Sequence, residues 1–259
     1  MSKIKLGLQL YSIRDEFAAD PAGTLKAVAE MGYDGVEFAG PPKLSGAELR
    51  ELLDKNGLEC CGWHTSYDSV QDDNLAATIA LNKEVNNRFL IVPGLPGEIT
   101  KTRADWLKIA SFFTDLAEKL SSEGMKTGYH NHSSEFQFVE GEMPWITLFD
   151  NTSKDVIAQL DTGNALCGGA DCVELLNRYP NQGTTVHLKP FTVDPSGETK
   201  PANGFRPLIG DDSLPWGEIL SICKNTAGTE WCIVEYESDA FTPMKAVDLS
   251  LQRLKKLGF

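Results

Sequence analysis

Eight strand-like segments alternate with helix-like segments at intervals of roughly 30 residues along this chain of 259, with no hairpin signal between them. That alternation, the length, and the clustering of all four histidines after strand-like segments predict a single (β/α)₈ TIM barrel over residues 1–259. An open doubly wound sheet is the competing architecture. It usually opens with a glycine-rich phosphate turn after its first strand, and Gln9-Leu-Tyr-Ser-Ile-Arg14 is nothing like one.

The elements follow in order. Ile4 to Leu10 alternates as a strand, and Asp20 then caps a helix with Pro21 at its first position and Leu25, Val28 and Ala29 on its buried stripe. Gly32 ends that helix and Gly35–Ala39 is the second strand. Ser45 and Glu48 form a capping box ahead of Leu49, Leu52 and Leu53, with Gly57 closing the helix. Leu58–His64 is the third strand and Asp73–Val85 its helix. Phe89–Val92 is the fourth strand, stopped by Pro93-Gly94. The helix from about Thr102 to Ser122 buries Trp106, Ile109, Ala110, Phe113, Ala117 and Leu120. Met125–His130 is the fifth strand, with a short helix at Pro144–Phe149. Val156–Leu160 and Asp171–Arg178 form the sixth unit, Thr185–Leu188 and Leu214–Lys224 the seventh. Trp231–Glu235 is the eighth strand, and Thr242-Pro243 start a last helix carrying Met244, Val247, Leu251 and Leu254. The stretch Phe191–Asp212, rich in Pro and Gly, reads as a long polar loop of the kind that covers binding sites.

Composition narrows the function. Hydrophobic residues make up 41% and charged residues 24%, enough for a sizeable core. No apolar run has the length of a membrane span, and Met1–Lys5 leads into a strand pattern without a signal-peptide core, so a cytoplasmic enzyme is expected. A net charge of −13 argues against nucleic acid, whose phosphates are held by Lys and Arg. The six cysteines include no C-x-x-C pair and read as reduced thiols, mostly small core hydrophobes. No surface pattern declares an oligomer.

In a barrel, residues at the C-terminal ends of the strands share one mouth. Those residues are Gln9, Glu37, His64, His130 and His132 with Glu135 just beyond, Asp161, His187 with Lys189, and Glu235 with Glu237. Taken singly, each has an ordinary explanation. A strand-end His is more often a hydrogen-bonded structural residue than a ligand, an Asp after a strand more often a turn or helix cap, and Lys189 can be an ion-pair partner of Glu235 or Glu237. Those explanations would have to hold together on strands five to eight, at one rim. Three carboxylates and one imidazole make a mixed oxygen and nitrogen site for one divalent metal ion (Mn²⁺, Mg²⁺, Co²⁺ or Zn²⁺). The lack of thiolates argues against a closed structural zinc site. Such an ion can hold adjacent hydroxyl and carbonyl oxygens of a sugar and stabilise the enediolate left when a carbon-bound proton departs.

Gly7-Leu-Gln-Leu-Tyr-Ser-Ile-Arg14, Gly32-Tyr-Asp-Gly-Val-Glu-Phe38, Gly128-Tyr-His-Asn-His132, Leu160-Asp-Thr-Gly-Asn164, Val186-His-Leu-Lys189 and Ile233-Val-Glu235 resemble the sugar phosphate isomerase/epimerase family. This is the xylose isomerase-like barrel superfamily, which includes inosose dehydratases, ketose 3-epimerases and endonuclease IV. The resemblance covers nearly the whole chain and implies metal ligands at Glu135, Asp161, His187 and Glu235. Glu135 resembles the displaced Glu of the dehydratase-like branch, and the alternative fourth ligand is His130, which stands where ketose epimerases carry a fifth-strand Glu. Epimerases of that kind use two metal-bound glutamates as their acid/base pair. With one missing, His130, His132 and Lys189 become candidates for proton transfer beside Glu235. Pro190 departs from relatives that often carry Asp there. Gln9, Arg14, Glu37, Trp63 and His64 are expected to line the substrate pocket.

The leading expectation is a metal-dependent isomerase or epimerase of a keto-sugar or related polyol. A dehydratase or lyase acting on a keto-inositol or keto-glycoside is its near rival, sharing the first proton abstraction. A non-catalytic sugar-binding protein is the remote alternative. An abasic-site endonuclease needs more His and Asp ligands, and Asn164 stands where a further His is expected.

Overall fold

The computed structural model describes residues 3–41, 43–194 and 201–259. Its eight strands are β1 (Lys5–Gln9), β2 (Gly35–Ala39), β3 (Glu59–His64), β4 (Phe89–Val92), β5 (Lys126–His130), β6 (Ile157–Gln159), β7 (Thr185–Leu188) and β8 (Trp231–Val234). All the ladders are parallel, in the order β6-β5-β4-β3-β2-β1-β8-β7. Between β6 and β7 there is no ladder. A single parallel bridge, Asp161 with His187, closes the ring there, carried by His187 N–H donating to the Leu160 carbonyl at 2.9 Å.

The helices are α1 (Arg14–Ala19), α2 (Pro21–Met31), α3 (Gly46–Asn56), α4 (Asp72–Glu84), α5 (Arg103–Ser121), α6 (Pro144–Phe149), α7 (Thr162–Cys167), α8 (Cys172–Arg178), α9 (Pro201–Gly204), α10 (Trp216–Asn225) and α11 (Pro243–Lys256). Their starts have local causes. Asp20 accepts from Gly23 N ahead of Pro21, Ser45 and Glu48 form a reciprocal capping box, and Thr102 with Asp105 forms another. Gly32 and Gly57 end α2 and α3 at φ +100° and +66°, a backbone region that glycine reaches without strain.

Three short helices depart from the sequence reading. α1 fills the turn after β1, and α7 follows Asp161 directly. α9 lies inside the stretch 191–212 expected to be loop; residues 195–200 of that stretch lie outside the described residues.

Alternation along each strand sorts the core into two bodies. Outward residues such as Leu90, Val92, Cys232 and Val234 pack under the helices in the main cluster. Inward residues Cys61, Phe89, Ile91, Ile157, Trp231 and Ile233 fill the barrel itself. The α5 stripe from Trp106 to Leu120 is buried as its spacing requires; truncating Phe113 to Ala costs about 3–5 kcal/mol. The six cysteines are all free thiols, five of them buried. Among the described residues, no helix is long and apolar enough to cross a membrane.

Candidate metal centre and its mouth

Above the apolar plug, the inward positions turn polar. On β8 the sequence Trp231, Ile233, Glu235 shares one face, and on β6 so does Ile157, Gln159, Asp161. The top layer therefore receives Gln9, Glu37, His64, His130, Gln159, Asp161, His187 and Glu235, all buried. A bulge in β3 makes room for one of them. Val36 pairs with Cys60 but Glu37 pairs with Gly62, leaving Cys61 as the extra residue. A side chain at Gly62 would put its Cβ 2.4 Å from Glu37 Oε1.

Single ligand atoms from His130, Asp161, His187 and Glu235 lie within 4.8 Å of one another. Glu135, the expected fourth member, does not join them. It sits in a short 3₁₀ turn after β5, where Oε1 accepts from Tyr129 Oη at 2.9 Å and Oε2 accepts from His132 N at 2.7 Å and Ser134 Oγ at 3.1 Å. The geometry thus gathers the alternative set, with His130 in that place.

Asp161 serves two structures at once. Its Oδ1 caps α7 by accepting from Asn164 N at 2.7 Å, the ordinary fate of an Asp after a strand. Its Oδ2 is buried with no hydrogen-bond partner. A buried carboxylate oxygen without a donor is costly, and a cation within the four-residue cluster would satisfy it. The donor set, two imidazoles and two carboxylates, suits a divalent ion of intermediate hardness.

The charges around the site fit the same conclusion. His187 donates to Glu235 Oε2 from Nδ1 and to Glu37 Oε2 from Nε2, both at 2.6 Å. Burial pulls its pKa down, but the two carboxylates outweigh burial and raise it to about 10. Holding a cation at Nδ1 would displace that proton and leave Nε2 tied to Glu37, a carboxylate–histidine arrangement that fixes the ring. Burial drives the His130 pKa well below its ordinary value, helped by His187 and His64, so its ring is neutral and can donate a lone pair. Burial raises the Asp161 pKa to about 6. Lys189, a candidate for proton transfer, has its pKa raised rather than lowered. Burial acts to lower it, but Glu235, Asp161 and Glu237 win and hold it as a cation; Nζ is 3.1 Å from Glu235 Oε1 and 3.2 Å from Glu237 Oε2. It is an ion-pair partner rather than a neutral base.

A cavity of about 700 Å³ opens above the cluster, lined among others by Gln9, His64, His130, His132, Glu235 and Glu237. Of the expected pocket residues, Gln9 and His64 reach this mouth. Glu37 lies beneath it, fully buried against Gln9, Gln159, His64 and His187. Arg14 and Trp63 line a separate, neighbouring cavity.

Sequence reasoning missed Gln159. Its Oε1 meets His64 Nε2 at 2.8 Å and His130 Nδ1 at 3.0 Å, and its Nε2 donates to Glu37 Oε1 and Thr185 Oγ1. One amide thereby orients two histidines. The signal was present: Gln159 is the polar residue two before Asp161 in an otherwise apolar strand.

A family model described as xylose isomerase-like TIM barrel matches residues 25–257. The rhizopine catabolism protein MocC of Rhizobium meliloti is 24% identical over 242 residues, covering 83% of this chain and 74% of that protein. Inosose dehydratase 2 of Bacillus cereus is 25% identical over 244 residues, covering 83% and 81%. A sugar phosphate isomerase/epimerase from Parabacteroides distasonis superposes with a TM-score of 0.80 at 24% identity, covering 98% of this chain and 94% of the other. An L-ribulose 3-epimerase superposes at 0.71 with 16% identity over 98% and 94% of the two chains. With its barrel, its buried His/Asp/Glu cluster and a match over almost its full length, the chain belongs to the xylose isomerase-like TIM barrel family.

Proposed function

We propose that this protein is a divalent-metal-dependent enzyme that removes a proton from the carbon beside the carbonyl of a keto-sugar or keto-polyol, and that loss of a β-hydroxyl completes a dehydration. The observation that carries the metal requirement is Asp161 Oδ2, buried without a hydrogen bond among His130, His187 and Glu235, with Lys189 Nζ no nearer than 4.0 Å. A divalent ion held there supplies Lewis-acid polarisation of the substrate carbonyl. The polar mouth fits a small carbohydrate.

The chain's residues divide the remaining work. His132, exposed on the mouth wall with its backbone N–H held by Glu135, accepts the carbon-bound proton. Glu237, also on that wall, has its pKa raised by burial and in its neutral acid form gives its proton to the departing hydroxyl, which leaves as water as the carbon–carbon double bond forms. Lys189 keeps a positive charge beside Glu235 and Glu237 throughout.

Elimination is favoured over epimerisation by His130, which occupies the fifth-strand place that a two-glutamate acid/base pair needs and leaves Glu235 as the one cluster carboxylate on the mouth wall. The curated relatives named inosose dehydratases, matched over 83% of this chain, support the same choice. Isomerisation or epimerisation is the second reading, favoured by His132, which can return a proton to the same enolate. Inososes and keto-sugars incubated in D₂O with Mn²⁺, Co²⁺ or Mg²⁺ test both. An unsaturated product supports dehydration, and deuterium gained without loss of water supports the second reading. No metal-dependent turnover of any of them would reject the proposal.

A further inference from the structure

Beside the polar mouth lies a second cavity of about 400 Å³ with a different character. Its floor is aromatic: the buried Phe38 and Trp63 have ring centroids 4.7 Å apart and planes tilted by 33°, and Phe17 stands 6.0 Å from Phe38. Trp63 is fixed by donating its Nε1–H to the Gly40 carbonyl at 2.8 Å. Leu44 and Leu49 complete the apolar lining. Tyr11, Ala39 and Gly40 line this cavity and the mouth alike, so the two adjoin at a shared rim. Tyr11 stands 45% exposed at that junction, with the Arg14 guanidinium 4.5 Å from its ring centre.

This mostly apolar lining offers the hydroxyls of a simple sugar or inositol few partners. From the rim it shares with the mouth we infer that the second cavity is a subsite for an apolar, ring-bearing substituent attached to the substrate, so that the enzyme acts on a sugar carrying an aryl group rather than on a bare one. The inference rests on the proposed carbohydrate chemistry for its sugar half and on the cavity alone for its apolar half. A rigid aromatic floor recognises a flat ring by stacking and area burial. Arg14 and Lys43 at its border favour an electron-rich or acidic ring over a cationic one.

The test measures binding, by calorimetry, of 2-naphthyl β-D-glucoside, 2-naphthol and methyl β-D-glucoside to the full chain. Ala18, exposed on α1 at the cavity wall, and Leu44, in the β2–α3 connection, are each replaced by Trp to fill the space. Both naphthyl compounds should bind the unaltered protein, and Ala18→Trp and Leu44→Trp should each weaken them at least tenfold while leaving methyl glucoside where it was. Naphthyl compounds that do not bind, or that bind both variants undiminished, overturn the inference. Naphthyl binding blocked by Trp, in a protein with no metal-dependent turnover, upholds the subsite and rejects the proposed reaction. The opposite pattern rejects the subsite alone.

Discussion

The two ends of this barrel use the same charged residue types in opposite ways. At the N-terminal end, Lys5 meets Glu59 at 2.5 Å, Arg88 meets Glu230 at 2.7 Å, and Lys83 meets Glu123, all with substantial solvent exposure. At the C-terminal end, Glu37, His187, Lys189 and Glu235 are buried and held to one another. Exposed pairs are screened and weak, whereas buried ones carry a desolvation cost that their mutual attraction need not recover. The N-terminal end also has a cavity, of about 490 Å³, yet its charged walls are paired and none of its side-chain atoms is buried without a partner. Cavity size does not separate the two ends. An unsatisfied oxygen, Asp161 Oδ2, does.

The contrast can be broken at graded cost. Glu235→Gln removes a cluster carboxylate and one partner of both His187 and Lys189; kcat/KM should fall on the order of 10³-fold, read in a steady-state assay. Unchanged turnover would remove the proposed site. Glu37→Gln touches no substrate but removes the negative charge from the acceptor of His187 Nε2–H. Metal affinity measured by calorimetry should drop about 10- to 100-fold, with little change if Glu37 merely packs.

Acid offers a third test with two opposite signs. Asp161 has its pKa raised to about 6, so lowering the pH through that value protonates it. Metal affinity should then fall by a further factor of about ten per pH unit, because the Asp161 proton is displaced in addition to that of His187. In the metal-free protein the same raised value means that the folded state binds the proton more tightly. Asp161's own contribution to stability therefore rises as the pH falls from about 6 toward 4, and is lost again above 6. Comparison with Asp161→Asn in denaturant titrations isolates it. The smallest effect belongs to the other end: Glu59→Gln should change unfolding free energy by no more than about 1 kcal/mol and leave turnover unaltered.

The barrel was legible because period-2 strands and capped, period-3.6 helices repeat eight times, each with local signals such as the Ser45–Glu48 box. All four clustered residues were legible from strand-end position, although the family resemblance put Glu135 ahead of His130. His130 and Glu135 were harder to separate, because five residues of turn decide which one faces inward. That turn is set by Tyr129 Oη and His132 N, contacts that no periodicity announces. Short helices after β1 and β6 were hidden for a related reason: six residues give too few turns for an amphipathic stripe. The role of Lys189 depended on which carboxylates surround it, and a sequence does not carry that count.

The ring closes weakly at one joint, between β6 and β7, and two of the four candidate ligands, Asp161 and His187, face each other across it. A bound ion there would act as a hoop on a cask whose last two staves are barely joined. Stripping the metal with a chelator should then quicken amide exchange along Ile157–Gln159 and Thr185–Leu188 before it does so elsewhere in the sheet. Substitutions that tighten this joint would make the fold depend less on any ion bound there, so affinity and mechanical closure can trade against each other in variants of this barrel.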